Sequence, residues 1–429
     1  MTNKKISKLF LTLLFVCINI FFTLNCSEKE NEIVKKQTNI SKYPDKDTIA
    51  ANNQTNYSNN HYSNLEKTEL VFIGTYTSGS SKGIYIYKMD TSTGTLSYVT
   101  VSPTTSNPSY LAIHPNKKWI YSVNENSSGT VSAFDFDSIH NEITFKNSVS
   151  SQGSAPCYVS IDNTGKYILV ANYNSGNVTV CPINNDGSLG TYTSADQHTG
   201  SGPVAGRQAG PHAHMIMQAS NNFVYNTDLG VDKIYIYLLD TTNGHITSTG
   251  HDSSALAGAG PRHIAFHPNM QWAYVVCELN GTVEAFTINN STSALTRFQS
   301  VSTLPSGVTA AAASADIHIT ADGKYLYASN RGSNNNIAMY SINQSTGVLS
   351  LLGHTAVGGA TPRNFAIDPN GKFLLVACQD GNKINTFKIN SDGTLTNTGI
   401  QTTLSSPVCL KFLEIYKEKI NTEIRTIHF

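Results

Sequence analysis

Apolar residues in this chain gather into short blocks that stop on a polar or charged residue, and one such block recurs seven times. The copies are FIGTY at Phe72–Tyr76, YSVNE at Tyr121–Glu125, LVANY at Leu169–Tyr173, YNTDL at Tyr225–Leu229, YVVCE at Tyr274–Glu278, YASNR at Tyr327–Arg331 and LVACQ at Leu375–Gln379. Their last residues follow one another at intervals of 49, 48, 56, 49, 53 and 48. Runs this short, bounded by Gly, Asn, Asp and Pro, predict strands rather than helices. A period of about 45 residues holding several short strands predicts a β-propeller.

The stretch from Asn107 to Val149 shows one repeat most clearly. Ser109–His114 reads as a strand, and Pro115-Asn116-Lys117 turns it. Trp119–Glu125 returns, Gly129 opens a third strand at Thr130–Asp135, and Ile143–Val149 makes a fourth. The first turn recurs as Asn163-Thr164-Gly165-Lys166, Asp322-Gly323-Lys324 and Asn370-Gly371-Lys372, where Asn, Asp and Gly supply the backbone that tight hairpins need. His114 and His267, each before a turn proline, are assigned a structural role at the strand end. Innermost strands are expected at 108–114, 156–162, 211–217, 261–267, 315–319, 362–368 and 407–413. The repeat that opens at Leu70 lacks one, and the C-terminal segment supplies it. The expected fold is all-β: a seven-bladed β-propeller of four-stranded antiparallel blades, closed by pairing the N- and C-terminal strands so that no sheet edge is left free.

The two ends read differently. Lys4, Lys5 and Lys8 precede an apolar run from Leu9 to Leu24 and then Cys26, which is the layout of an export signal. Thr23-Leu24-Asn25-Cys26 resembles a bacterial lipoprotein processing site, so lipidation at Cys26 is expected, with Asn25 in the place where a small residue is usual. Four segments follow: residues 1–26 as signal peptide and lipid site, 27–68 as a polar disordered tether, 69–413 as propeller and 414–429 as a tail. The expected location is an exported, membrane-anchored lipoprotein at a periplasmic or outer-membrane face. Acidic and basic residues balance at 29 each with no basic block in the repeats, which excludes a nucleic-acid partner. Beyond Cys17 and Cys26, five cysteines (Cys157, Cys181, Cys277, Cys378 and Cys409) lie far apart on expected strands and are read as buried apolar residues.

Comparing equivalent positions exposes a site. The innermost strand starts, and the next strand ends, at the same mouth of the central channel. The residue 16 before each second-strand end is Ser109, Cys157, Arg262, Ala315 or Arg363, and in the repeat with a shortened turn the equivalent is His214, 15 before Leu229. The paired strand ends include Glu125, Tyr173, Glu278, Arg331 and Gln379. Arginines facing one cavity repel unless carboxylates or an anionic ligand compensate them, and their forks suit carboxylate or phosphate. A histidine moves protons near neutral pH, and a glutamate orients or deprotonates water. The alternative is a ring of salt bridges that only staples the blades. His212 and His214, two apart, are expected to share a strand face, but no adjacent Cys, Asp or Glu completes a metal set. Neither a metal nor a cofactor is expected. Asp228-Leu229-Gly230 with Asp232 reads equally as a polar turn or as part of the site.

At these residues the chain resembles the lactonase seven-bladed β-propeller family, which includes bacterial 6-phosphogluconolactonases and fungal carboxymuconate cyclases. The elements that carry the resemblance are GTYT at Gly74–Thr77, NPSYLAIHP at Asn107–Pro115, ANYNSGNV at Ala171–Val178 and GPHAH at Gly210–His214. They continue with DLG at Asp228–Gly230, GPRH at Gly260–His263, SNRG at Ser329–Gly332 and PRNFAIDPNGKFLLVA at Pro362–Ala377. The resemblance implies lactone hydrolysis on a sugar acid or related acid, with His214, Glu278, Arg262 and Arg331 catalytic. His212, Arg363, Glu125 and His263 are expected to bind the substrate, a small anionic lactone or sugar acid. His214 is expected to exchange the proton and Glu278 to orient it or activate water, or the two roles are exchanged. A non-catalytic binding propeller and a muconate-type cycloisomerase are the alternatives.

Overall fold

The computed structural model describes residues 65–308 and 312–418. Every regular element among them is a strand, and the strands form seven antiparallel sheets. Blade 2 runs outward through Leu111–Ile113, Trp119–Asn124, Thr130–Asp137 and Glu142–Ser150; blade 3 through Pro156–Ile161, Tyr167–Asn172, Asn177–Pro182 and Ser194–Gln197. Blade 4 is built from Ala213–Gln218, Phe223–Asp228, Lys233–Asp240 and His245–Ser248, with the short Ser253–Ser254 added beside its third strand. Blades 5, 6 and 7 have innermost strands Pro261–Phe266, Ser314–Ile319 and Pro362–Ile367, and second strands Trp272–Cys277, Tyr325–Asn330 and Phe373–Cys378.

Blade 1 closes the ring. Its order is Pro407–Glu418, Leu65–Thr75, Tyr85–Met89, Leu96–Val101, so the last strand is innermost and pairs with the first. Both partners reach past the expected limits of 69 and 413, starting at Leu65 and ending at Glu418. The propeller therefore takes in residues assigned to the tether and tail from sequence. Cys26 and the signal segment lie outside the described residues.

The second strands are the dry core: Trp272–Cys277 and Phe373–Cys378 are buried at every position. Such strands, covered on both faces, read as continuous apolar runs, which is why they stood out in the sequence. A repeated contact joins the blades. The second-strand tyrosines Tyr121, Tyr274 and Tyr327 donate to the carbonyls of Gly187, Gly347 and Gly393 in the outer turns of the next blade at 3.0, 2.7 and 2.9 Å. His114 and His267 bond the turn carbonyls of Gly165 and Gly323 at 2.9 and 3.1 Å, the structural role expected of them. All five cysteines of the ring are free and buried.

Candidate active site

One backbone hydrogen bond recurs where each second strand ends beside its innermost strand. In each blade, the N–H of the second strand's end residue donates to the carbonyl two residues before the innermost-strand position singled out above. Glu125 donates to Asn107, Tyr173 to Ala155, Leu229 to His212, Glu278 to Gly260, Arg331 to Ala313 and Gln379 to Thr361, at 2.8–3.1 Å. The pairing then skips a residue: Pro261 faces Cys277 and His263 faces Val276, leaving Arg262 in a bulge. Cys157, His214 and Arg363 occupy the same bulge in their blades. A bulge releases its extra residue from the alternation of the pleat and aims it elsewhere. Here it turns each side chain into the mouth beside the end residue of the neighbouring strand.

The chain enters several innermost strands under constraint. Asn107, Ala155, Thr361 and Ser406 all have positive φ (44°, 51°, 56° and 46°) immediately before a proline. Left-handed backbone is costly for residues with a Cβ, and most of all for a β-branched one, so only the surrounding hydrogen bonds hold it.

Seven of the eight expected residues converge. Glu125, His214, Glu278, Arg331 and Arg363 line a chamber of about 190 Å³ together with Cys157, Tyr173 and Arg207. Arg262 and His263 lie one layer deeper, lining a cell of about 10 Å³ beneath it. His212 does not face the chamber: its ring stacks on Tyr173 at 4.5 Å, while His214 meets the same tyrosine edge-on at 5.5 Å. The two histidines thus flank one ring rather than share an open face, and the bulge between Ala213 and Met215 is the reason.

Glu278 is the hub. Its Oε1 accepts from Arg207 Nη2 at 2.6 Å, and its Oε2 is 3.1 Å from Arg262 Nε and 2.7 Å from Arg331 Nη2. Burial opposes its charge, but Arg331, Arg262 and Arg207 overcome that and hold the carboxyl down to about 2. Glu125 is engaged on one side only: Oε2 accepts from Tyr76 at 2.8 Å and from Ser109 at 2.5 Å, while Oε1 stands 4.0 Å from Arg363. Four guanidiniums therefore meet two carboxylates. Burial, together with Arg262, His263 and the other arginines, pushes His214 well below the ordinary histidine range, so its imidazole is neutral. Its Nδ1 is buried and has no hydrogen-bond partner among the described residues. The Cys157 thiol is pushed up by burial and by Glu125, so it is not a thiolate at neutral pH.

A second network supports Arg262 from below. Asp316 takes Nδ1 of His263 at 2.7 Å, Nε2 of His318 at 3.0 Å and the side-chain amide of Asn364 at 2.5 Å. Arg262 Nη1 lies 3.3 Å from His263 Nε2 and donates to the carbonyl of Ala315 at 2.6 Å. A guanidinium can only donate, so Nε2 of His263 must carry the lone pair and Nδ1 the proton, which goes to Asp316. Burial and Arg262 push His263 down to about 4, in keeping with this neutral tautomer.

Sequence reasoning missed Arg207 and Asp316. Arg207 sits on the loop before Gly210, anchored by buried Gln208, which donates to the Leu229 carbonyl at 2.8 Å and to Asp232 at 2.7 Å. The 56-residue interval was the signal of an insertion there. Asp316 follows the alanine of the register, and reading one position further round the ring (Tyr110, Tyr158, Met215, His263, Asp316, Asn364) shows it as the lone carboxylate. Asp228 and Asp232 prove to be scaffold. Asp228 pairs with buried His198 at 2.6 Å, and Asp232 accepts from the N–H groups of Gly258 and Gly260 at 2.6 and 2.8 Å. Gly230 is obligatory beside them, since a Cβ there falls 1.9 Å from the carbonyl oxygen of Gly210.

Comparison with known proteins agrees with this fold. Residues 70–412 match the family model described as lactonase, 7-bladed beta-propeller. The 6-phosphogluconolactonase of Bacillus subtilis is 38% identical over 345 residues, covering 80% of this chain and 97% of that protein. The protein of the same name from Formosa agariphila is 35% identical over 327 residues, 74% of this chain and 92% of its own. The solved structure of the periplasmic gluconolactonase of Pseudomonas aeruginosa superposes with a TM-score of 0.76 at 29% identity, covering 81% of this chain and 99% of that one.

Proposed function

The chain belongs to the lactonase seven-bladed β-propeller family, and on that premise we propose that it hydrolyses an anionic lactone of a sugar acid or related acid in the chamber at the channel mouth. The observation that carries this reading is the charge imbalance: Arg207, Arg262, Arg331 and Arg363 against Glu125 and Glu278, around a neutral His214. A purely structural ring would be self-neutralising, because unpaired buried charge is expensive. An anionic substrate completes the balance.

In this scheme Arg331 and Arg363 hold the substrate's anionic group and the oxygen that gains charge as the carbonyl is attacked. Neutral His214 accepts the proton of water and returns it to the ring oxygen as the C–O bond breaks. Glu278 takes a different role from the one expected of it. Both its oxygens are committed to arginines and its carboxyl is held down to about 2, so it is a poor acceptor for a water proton. It keeps three guanidiniums in place instead. An extracytoplasmic lactone is the natural substrate if the Cys26 signal acts as expected, and the periplasmic gluconolactonase of Pseudomonas aeruginosa offers a relative with that address.

The test is a pH-stat screen of full-length protein on δ- and γ-lactones, each with and without a phosphate or carboxylate group. Acid release that is faster for the charged members is the expected result. Tight binding of charged acids with no acid release from any lactone would overturn the reading in favour of a binding module.

A further inference from the structure

The outer chamber and the small cell beneath it share four wall residues: Glu125, Cys157, His214 and Arg363. The cell's volume is about 10 Å³, close to the least room that one water needs. A buried water also needs two to four polar partners. Three groups in that shared wall have unmet capacity: the Nδ1 of His214, without a partner among the described residues; Oε1 of Glu125, which accepts no hydrogen bond among them; and the guanidinium of Arg363, whose nearest carboxylate oxygen is 4.0 Å away. Glu278, by contrast, is saturated by three arginines and does not line the cell.

We propose that this cell seats the hydrolytic water, held between His214 and Oε1 of Glu125, while the lactone fills the outer chamber with its carbonyl carbon against the shared wall. Attack then comes from the channel side. The water oxygen forms the new bond to the carbonyl carbon, and one of its protons passes to His214. The ring C–O bond breaks, the departing ring oxygen takes that proton, and the product is the open hydroxy acid, lactone plus water. Glu125 is the carboxylate that orients the water, in place of Glu278. A nucleophile stored in a one-water cell must also be water: methanol carries a further heavy atom and is excluded.

This inference rests on the lactonase reading, and product analysis separates the two. The full-length protein is run on its best lactone in buffer containing methanol, and the products are resolved by mass spectrometry. Wild type is expected to yield hydroxy acid with no methyl ester. Cys157→Ala, or Val408→Ala if the first variant is unstable, enlarges the cell and is expected to admit methanol and yield ester. Glu125→Gln is expected to lower kcat about 100-fold or more at near-constant KM, the usual weight of a positioned acid–base group. Methyl ester from wild type, ester from neither enlarged variant, or a Glu125→Gln kcat within about threefold of wild type, a loss below the range for such a group, overturns the water site while leaving the lactonase standing. Absence of any hydrolysis by wild type overturns both.

Discussion

Replacing Glu278 by Gln separates the two things this carboxylate does. In the native protein its charge lies among Arg207, Arg262 and Arg331, and the Arg262 side chain is only 2% exposed. The carboxyl is held from 4.5 down to about 2, and a shift of that size corresponds to about 3 kcal/mol of stability at neutral pH. Removing one partner of a buried pair typically costs about 3–5 kcal/mol, which agrees. A folded-state value below the unfolded one means the contribution is present above about 4.5 and is lost as pH falls toward about 2, so about half remains at pH 3. For a ring of this size such a loss lowers Tm by about 4–7 °C, taking unfolding entropy in proportion to length. The site, meanwhile, gains net positive charge. Sulfate or a sugar-acid phosphate is therefore expected to raise the Tm of Glu278→Gln by more than it raises that of wild type, through tighter binding to the native state. Calorimetric scans of both proteins from pH 7 to pH 3, with and without the anion, measure this. Equal Tm values at pH 7, or a gap that widens toward pH 3, would refute the reasoning.

Three further outcomes are expected. Arg207→Ala removes a half-exposed guanidinium from the chamber while Glu278 keeps Arg262 and Arg331, so KM for a charged lactone is expected to rise about tenfold or more, as for loss of a charge-assisted hydrogen bond, with a smaller fall in Tm than Glu278→Gln shows. Asp316→Asn replaces an acceptor by a group that can donate to His263 Nδ1, reversing the tautomer and setting Nε2–H against Arg262. A loss of about 10–100-fold in kcat/KM, partly recovered in Asp316→Glu, is expected in steady-state assays. His214 and His263 are both buried neutral, so the unfolded chain binds protons below about 6.5 that the native chain refuses. Stability is then present above that pH and falls as pH drops toward 5, by up to about 1.4 kcal/mol per pH unit per histidine, and urea midpoints that stay flat between pH 7.5 and 5 would contradict it.

The mouth register was legible because a bulge is a local event that repeats. The spacing of 16 between Arg262 and Glu278 recurs between Arg363 and Gln379, since in each case the second residue's N–H bonds the carbonyl two residues before the first. The shortened turn of blade 4 moved that spacing by one, and His214 was found at the adjusted place, in the same bulge. Arg207 escaped because it lies on an insertion outside the repeat, where no equivalent position in another blade gives it a reference. Asp316 escaped because its neighbour in the register is an alanine, and an alanine draws no attention to the position beside it. The pairing of Glu278 with three arginines escaped for a different reason. A glutamate among arginines is the same string of letters whether it faces water or is fully paired.

The periodic apolar runs, the turn chemistry and the displaced innermost strand determined the all-β ring of seven blades by themselves, because burial on both sheet faces and the tightness of hairpins are properties of short segments. Tertiary structure alone decided which of the gathered charges are spent on one another and which are left open. Coulomb energies and desolvation depend on distances of a few ångströms between residues far apart in sequence, such as Glu125 and Arg363, and no local pattern encodes those distances.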